Sequence, residues 1–229
     1  VSFGLVAAVL YGVVPGIVKV GGWFELAFVN KLGLPFNSGM VAYIIVLVAV
    51  VLSAIWATTQ KNRLRINILY VASVALLGIP FYGEGYKMQI SVGILVLVFL
   101  AWGLTLKDKR GEYILRKRVL NTSLLCMLML MIGYSTYAVI VIRSTQNTPM
   151  DQNSPEDIFS LGTYLNREQY GSRPLFFGEA YTSRPVDIDT EERIQRHENT
   201  AEEQAAGKKD VYDIVKVQGN YIFPSEMKM

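Results

Sequence analysis

The chain has 229 residues, of which 52% are hydrophobic, and its mean hydropathy of +0.31 is too high for an ordinary soluble domain of this size. Its formal net charge is +3, but Lys and Arg cluster beside apolar runs instead of forming a surface stripe, which argues against nucleic-acid binding. Cys126 is the only cysteine and His197 the only histidine, so a disulfide framework is excluded and neither a metal site nor a cofactor is expected.

Hydropathy divides the chain into two parts. Residues 1–142 are predicted to form a transmembrane helical region, and residues 143–229 an extracytoplasmic soluble α/β segment. The predicted fold class is an α-helical membrane protein with about five transmembrane helices, followed by the start of a small α/β domain. The five apolar runs that approach or reach the length of a span are Val1–Val20, Ser38–Thr59, Ile66–Tyr82, Met88–Leu106 and Val119–Ile142.

The loops between these runs predict the orientation. The second and fourth loops carry three and six basic residues, whereas the first and third carry one each, Lys31 and Lys87. Because basic loops stay in the cytoplasm, we expect the segment from Arg143 to Met229 to be extracytoplasmic. This orientation depends on the count of five spans.

The first outer loop contains three polar side chains among aromatic ones. In GGWFELAFVNKLGLPFNSG, which starts at Gly21, apolar residues recur near helical spacing, and Glu25, Asn30 and Lys31 lie between them. A short interfacial helix anchored by aromatics explains this pattern. The alternative is that the three polar residues line a cavity for a lipid headgroup at the membrane surface.

Arg143 lies where the fifth apolar run meets the outer membrane surface. A guanidinium there can bind a phosphate bidentately. Ordinary snorkelling of a long cationic side chain at a helix end is the simpler explanation of this position.

The soluble part is predicted to contain a helix from Pro155 to Tyr170, with Ser154 as its N-cap. The sequence RPLFFGEAY after it predicts a short buried strand. The charged linker at 187–210 is predicted to be a solvated helix or a disordered insertion. VYDIVKVQGNYIF is then typical of a hairpin that turns at Gln218, Gly219 and Asn220.

Two segments carry a family resemblance, WFELAFVNKLGLPFNSG and the run from YSTYAVIVIRSTQNTPMDQN to YLNREQYGSRPLFFGEAY. They resemble a bacterial family of large multi-pass membrane proteins with a domain of unknown function. That family is similar to protein O-mannosyltransferase-like enzymes of the glycosyltransferase-C superfamily. The resemblance extends from about Val1 to Tyr181.

The resemblance implies an enzyme of the bacterial inner membrane, with its C-terminal segment in the periplasm. Such an enzyme transfers a sugar, with mannose as one candidate, from a polyprenyl-phosphate carrier to a hydroxyl of an acceptor protein. Glu25, Lys31 and Arg143 are the candidate donor contacts. The catalytic carboxylate of the superfamily usually lies in an earlier loop, so the chain is expected to be an internal fragment that is inactive alone. The alternative hypothesis is a non-enzymatic membrane scaffold whose outer domain binds an envelope partner.

Overall fold

The structure is a computed structural model that describes residues 12–81, 86–108, 111–146, 149–151, 153–167, 170, 184–197, 199–200 and 209–222. It is mostly helical, with a two-stranded sheet towards the end of the chain. The helices and strands in chain order are α1 (Val14–Leu26, extended by a π-helical turn over Ala27–Lys31), α2 (Ser38–Thr59), α3 (Arg63–Leu76), α4 (Tyr86–Thr105), α5 (Lys117–Tyr134), α6 (Thr136–Ser144), α7 (Ile158–Leu165), β1 (Asp187–His197) and β2 (Val211–Ile222).

Within the described residues, three helices are long and apolar enough to cross a membrane, and they confirm three of the five predicted spans. They are α2 with 22 residues, α4 from Lys87 to Thr105 with 19, and α5 together with α6 as one 28-residue helix. Only 28%, 11% and 6% of the residues in their most apolar windows are buried within the protein. Apolar surface left exposed to this extent is typical of helices that face lipid.

The third predicted span, Ile66–Tyr82, is wrong as a full span. Helix α3 has 14 residues, which makes it about 21 Å long, shorter than the roughly 30 Å of a bilayer core. Gly78 follows the end of this helix with a φ of 75°, a left-handed conformation that glycine adopts without strain. The helix therefore ends at Leu76, before the end of the predicted span.

The first predicted span, Val1–Val20, lies outside the described residues up to residue 11. From Val14 on, α1 continues past Val20 to Leu26, and the π-helical turn carries it to Lys31. Much of the predicted loop from Gly21 to Asn37 is therefore helix that continues α1.

Helices α1, α2 and α3 pack around one apolar core. The hydroxyl of Tyr43, on α2, donates a hydrogen bond to the carbonyl of Leu76 at 2.8 Å. Helix α3 thus runs antiparallel to α2, from the Thr59 end of α2 back to within about two turns of its first residue. The buried core residues are Val13, Val20, Tyr43, Leu47, Val51 and Leu77.

Helix α7 is shorter than predicted and begins later. Its N-cap is Asp157, whose carboxylate accepts a hydrogen bond from the Ser160 N–H at 2.7 Å, while the Ser160 hydroxyl accepts one from the Asp157 N–H at 3.1 Å. Ser154, the predicted cap, has a φ of 38° and lies three residues before Asp157, so it does not cap the helix. The strand predicted for RPLFFGEAY lies outside the described residues.

The predicted charged linker and hairpin instead form one antiparallel sheet. The first eleven residues of the linker are strand β1, and residues 211–222 are a single strand, β2, that pairs with it. Charged side chains on β1 do not oppose this pairing, because the ladder uses backbone groups and β2 supplies Val and Ile opposite them, as in the pair Arg193 and Val215. The register shifts between Ile188 and Thr190, opposite the residues predicted to form the turn. The glycine signal at Gly219 therefore marks an irregularity in one strand.

Candidate functional site

The carboxylate of Glu25 is fully buried where α1, α2 and the sheet meet, with 0% of the residue exposed. Its two oxygens accept hydrogen bonds from three donors: the Asn37 N–H, the Met40 N–H at 2.9 Å and the Tyr212 hydroxyl at 3.2 Å. A buried carboxylate is stable only when it is satisfied in this way. We call Glu25, Asn30, Phe36, Asn37 and Tyr212 the Glu25 junction.

Glu25 completes the N-terminus of α2. The first N–H groups of a helix have no partner within the helix, and the positive end of the helix dipole favours an anion. Asn37 occupies the N-cap position with a φ of 67°, and its side chain makes no capping hydrogen bond. The acceptor comes instead from Glu25 on the preceding helix, so the start of α2 is fixed against α1.

Gly39 permits the close approach that brings Glu25 to these donors. A Cβ at Gly39 would lie 2.5 Å from the Cα of Glu25 and 2.6 Å from the carbonyl oxygen of Phe24. Both atoms belong to the backbone of α1, which cannot move aside as a flexible side chain can. Only a residue without a side chain fits between the two helices at this point.

Asn30 joins the π-helical turn to strand β2. Its side-chain nitrogen donates to the carbonyl of Tyr212 at 3.0 Å, and its side-chain oxygen accepts from the Tyr212 N–H at 2.9 Å. The amide of one side chain thus pairs with both backbone groups of a single strand residue, as a neighbouring strand would. This pairing fixes the sheet to α1 at one defined residue.

Aromatic side chains surround Tyr212, which is only 4% exposed. The rings of Phe36 and Phe159 both contact it edge to face, with centroids 4.9 Å and 5.1 Å away. The guanidinium of Arg196, on β1, lies 4.3 Å from the centroid of Phe36 and pairs with Glu156 at 2.7 Å. Apolar contacts and a partly buried ion pair therefore enclose the hydrogen bonds of the junction.

Burial raises the pKa of Tyr212 well above its ordinary value, and the negative charges of Asp157 and Glu25 raise it further. The positive charge of Arg196 opposes this shift, and the hydrogen bond that Tyr212 donates to Glu25 adds to it. The phenol consequently keeps its proton to a higher pH than an ordinary tyrosine does, and it remains a donor to the carboxylate there.

The three sequence-predicted donor contacts lie in different surroundings. Glu25 is enclosed in the junction, whereas Lys31, at the end of the π-helical turn, and Arg143, in the last turn of α6, are exposed. Within the described residues, no hydrogen bond or ion pair joins Glu25 to either cation. Asn30, the other polar residue predicted in this loop, binds the backbone of Tyr212.

Sequence reasoning missed the partners of Glu25. Tyr212 was assigned to a hairpin strand and Asn37 to the end of a loop, and neither assignment indicates a contact with Glu25. The one available signal was the position of an acid within a long apolar region, since a carboxylate buried there requires donors.

The junction holds helices and the sheet in place. It offers no route for acid–base chemistry, because protein covers the whole Glu25 carboxylate. No group of three or more His, Cys, Asp or Glu residues that could hold a metal ion occurs in the described part of the chain. No protein-family model, curated protein or solved structure matches the chain.

Proposed function

We propose that the chain is part of a membrane glycosyltransferase similar to the glycosyltransferase-C superfamily. The reaction transfers a sugar, with mannose as one candidate, from a polyprenyl-phosphate carrier to a hydroxyl of an acceptor protein. The observation that carries the proposal is the attachment of the sheet to the N-terminal end of α2 through Glu25 and Asn30. Such an attachment holds a soluble layer at one membrane face, where a lipid-linked donor presents its sugar.

The distribution of charge supports an extracytoplasmic sheet. Lys61, Arg63 and Arg65 follow the opposite end of α2, and Arg116, Lys117 and Arg118 surround the start of α5. Short loops rich in Lys and Arg stay in the cytoplasm. With the proposed inner-membrane location, the sheet end of the protein then lies in the periplasm.

Lys31 and Arg143 are the proposed contacts to the phosphate of the donor. Both are exposed, and both lie at the end of a helix. Lys31 follows Asn30 in the π-helical turn, and Arg143 precedes Ser144 in the last turn of α6. The Ser144 hydroxyl donates to the carboxylate of Asp151 at 2.6 Å, which fixes the chain where it leaves α6. In this proposal Glu25 acts as a positioning residue that holds the outer ends of α1 and α2 in place for the two cations.

The experiment that tests the proposal measures transfer of radiolabelled sugar from a polyprenyl-phosphate donor to endogenous protein. Membranes that contain the intact gene product are compared with membranes from a strain that lacks the gene. Transfer that depends on the gene supports the proposal. The absence of gene-dependent label with several sugar donors would overturn it.

For the donor contact, we expect Arg143→Ala in the intact protein to lower donor affinity about tenfold while the folded level stays unchanged, since a charge-assisted contact to a phosphate is lost. Titration of the transfer rate with donor measures this change. Arg184→Ala is the matched control, because Arg184 is an exposed cation next to β1. Equal donor affinity in Arg143→Ala and the unaltered protein would contradict the contact.

A scaffold that binds an envelope protein is the second candidate function. The observation that favours it is a set of exposed apolar side chains on the sheet and just before it. Val186, Ile188, Ile214 and Val215 are 72%, 44%, 68% and 40% exposed. Cross-linking from these positions to one partner, in membranes without gene-dependent sugar transfer, would favour the scaffold over the enzyme.

A further inference from the structure

Four helix ends meet at the end of the protein opposite the sheet. The buried side chains that join them are Ala57 at the end of α2, Ile66 at the start of α3, Leu104 at the end of α4 and Leu120 near the start of α5. The two connecting loops, which are far apart in sequence, therefore lie side by side. Their charges act together as one surface.

The joined loops are strongly basic. Among the described residues at this end, the acids are Asp108 and Glu112, and the cations outnumber them several-fold. The cations are Lys61, Arg63, Arg65, Lys107, Arg116, Lys117 and Arg118.

Two of these cations hold the loops together. The guanidinium of Arg63 donates to the carbonyl of Leu115 at 2.6 Å and lies over the ring of Tyr113, while the ammonium of Lys117 donates to the carbonyl of Gln60 at 2.7 Å. Each contact runs from one loop to the other. The two loops therefore form one surface that carries the remaining cations.

Three other cations have no such internal role. Lys61, Arg65 and Arg118 are exposed, and in the described part of the chain their side chains make no hydrogen bond or ion pair. We call these three residues the basic surface. Positive charges on loops and helix ends that are joined in this way, without internal partners of their own, favour binding of an anion from outside the chain.

Apolar side chains locate the basic surface at the edge of the membrane. Trp56 and Trp102 lie in the last turns of α2 and α4 and are 66% and 58% exposed, which is typical of tryptophans at a membrane–water interface. Leu64 and Ile114 are exposed next to the cations. Alternation of exposed apolar and basic residues suits a surface in contact with acyl chains and headgroups together.

We propose that the basic surface binds the headgroups of anionic phospholipids in the leaflet opposite the sheet. A phosphate diester supplies the negative charge for Lys61, Arg65 and Arg118, and the acyl chains lie against Leu64 and the exposed sides of α2 and α4. This inference does not depend on the proposed function, because it uses no residue assigned to donor binding.

The test measures lipid binding to the full chain in a neutral detergent by native mass spectrometry. Phosphatidylglycerol and phosphatidylcholine are added separately to the unaltered protein and to the triple variant Lys61→Gln, Arg65→Gln, Arg118→Gln. We expect the unaltered protein to prefer phosphatidylglycerol at least about tenfold, and the triple variant to lose this preference. A triple variant that retains the preference would overturn the proposal.

A second triple variant, Lys87→Gln, Arg184→Gln, Lys216→Gln, removes the same charge from exposed cations away from the basic surface. It should bind phosphatidylglycerol as the unaltered protein does, and an equal loss in both variants would show only an effect of net charge. Excess inorganic phosphate should leave the lipid bound, and complete displacement would indicate a site for small anions instead. Added salt should weaken the preference of the unaltered protein for phosphatidylglycerol. A preference that does not change with salt would contradict the proposal, whether or not the first triple variant folds.

Discussion

At the sheet end of α2, three elements are joined by hydrogen bonds to one buried carboxylate, whereas at its Thr59 end four helix ends are joined by apolar side chains. The two kinds of contact impose different restrictions. Hydrogen bonds to Glu25 require donors at defined positions, so they fix how the sheet and α2 are oriented on α1. Apolar packing depends more on volume and burial than on direction, so the opposite end can hold its loops together with side chains of several shapes.

The largest effect is expected at Gly39, where α1 and α2 approach so closely that no side chain fits. Gly39→Val places atoms against the backbone of Glu25 and Phe24, so it should lower the free energy of unfolding by about 4 kcal/mol. Unfolding in a mixed-detergent titration, followed by circular dichroism, measures the change. Gly103→Val is the matched control, because a Cβ at Gly103 of α4 meets nothing within 4 Å. Equal losses in the two variants would show that the close approach at Gly39 is not limiting.

Removal of the buried carboxylate should release the sheet. Glu25→Ala leaves the Asn37 and Met40 N–H groups and the Tyr212 hydroxyl without their acceptor, which we expect to cost about 3 kcal/mol. Hydrogen exchange should rise in β2 and in the first turn of α2. Glu25→Gln, which keeps one acceptor oxygen, should have a smaller effect in the same regions. Unchanged exchange in β2 of Glu25→Ala would contradict the role of the junction.

Ile66→Ala tests the apolar cluster at the other end of α2. Ile66 is 0% exposed in the apolar cluster, and its truncation should cost at least about 2 kcal/mol through lost burial and a cavity. Exchange should rise at the adjoining ends of α3 and α4 and stay unchanged in β2. If Ile66→Ala exposes the sheet as strongly as Glu25→Ala does, the two ends are not independent.

The smallest effect concerns pH. The pKa of Tyr212 is raised in the folded protein from an ordinary value of 10.0, so its contribution to stability is complete below about pH 10. Above that pH the unfolded chain releases the phenol proton while the folded protein retains it, and stability falls as pH rises. Unfolding measured from about pH 9 upward should show a steeper decline of stability in the unaltered protein than in Tyr212→Phe. Parallel declines would show that Tyr212 does not contribute.

The sequence was sufficient for the apolar helices and insufficient for what lies between them. The prediction of Ser38–Thr59 as a helix agrees with α2 at both ends, because Asn37 on one side and the polar run that starts at Gln60 on the other bound a long apolar segment. The end of α3 was missed since hydropathy continues past Leu76, and only the left-handed conformation at Gly78 ends the helix. Composition alone does not encode that local geometry.

The sheet was missed for a different reason. Strand β1 is highly charged, and charge density favours a solvated or disordered segment when the partner strand is not known. Pairing with β2 is a contact between distant residues, and it overrides the local preference. Of the candidate site, Glu25 and Asn30 were recognised as unusual, but their common partner, Tyr212, is 187 residues after Glu25 in sequence.

The separation of these partners has a consequence for the order in which the protein is assembled during synthesis. The acceptor, Glu25, is made 12 residues before the first of its donors, Asn37, and long before Tyr212. Translation therefore delivers α1 and α2 to the membrane with two of the three hydrogen bonds ready to form. The hydroxyl of Tyr212 arrives last, so a ribosome-bound chain that stops before it should already hold the first two helices together while leaving β1 without its strand partner.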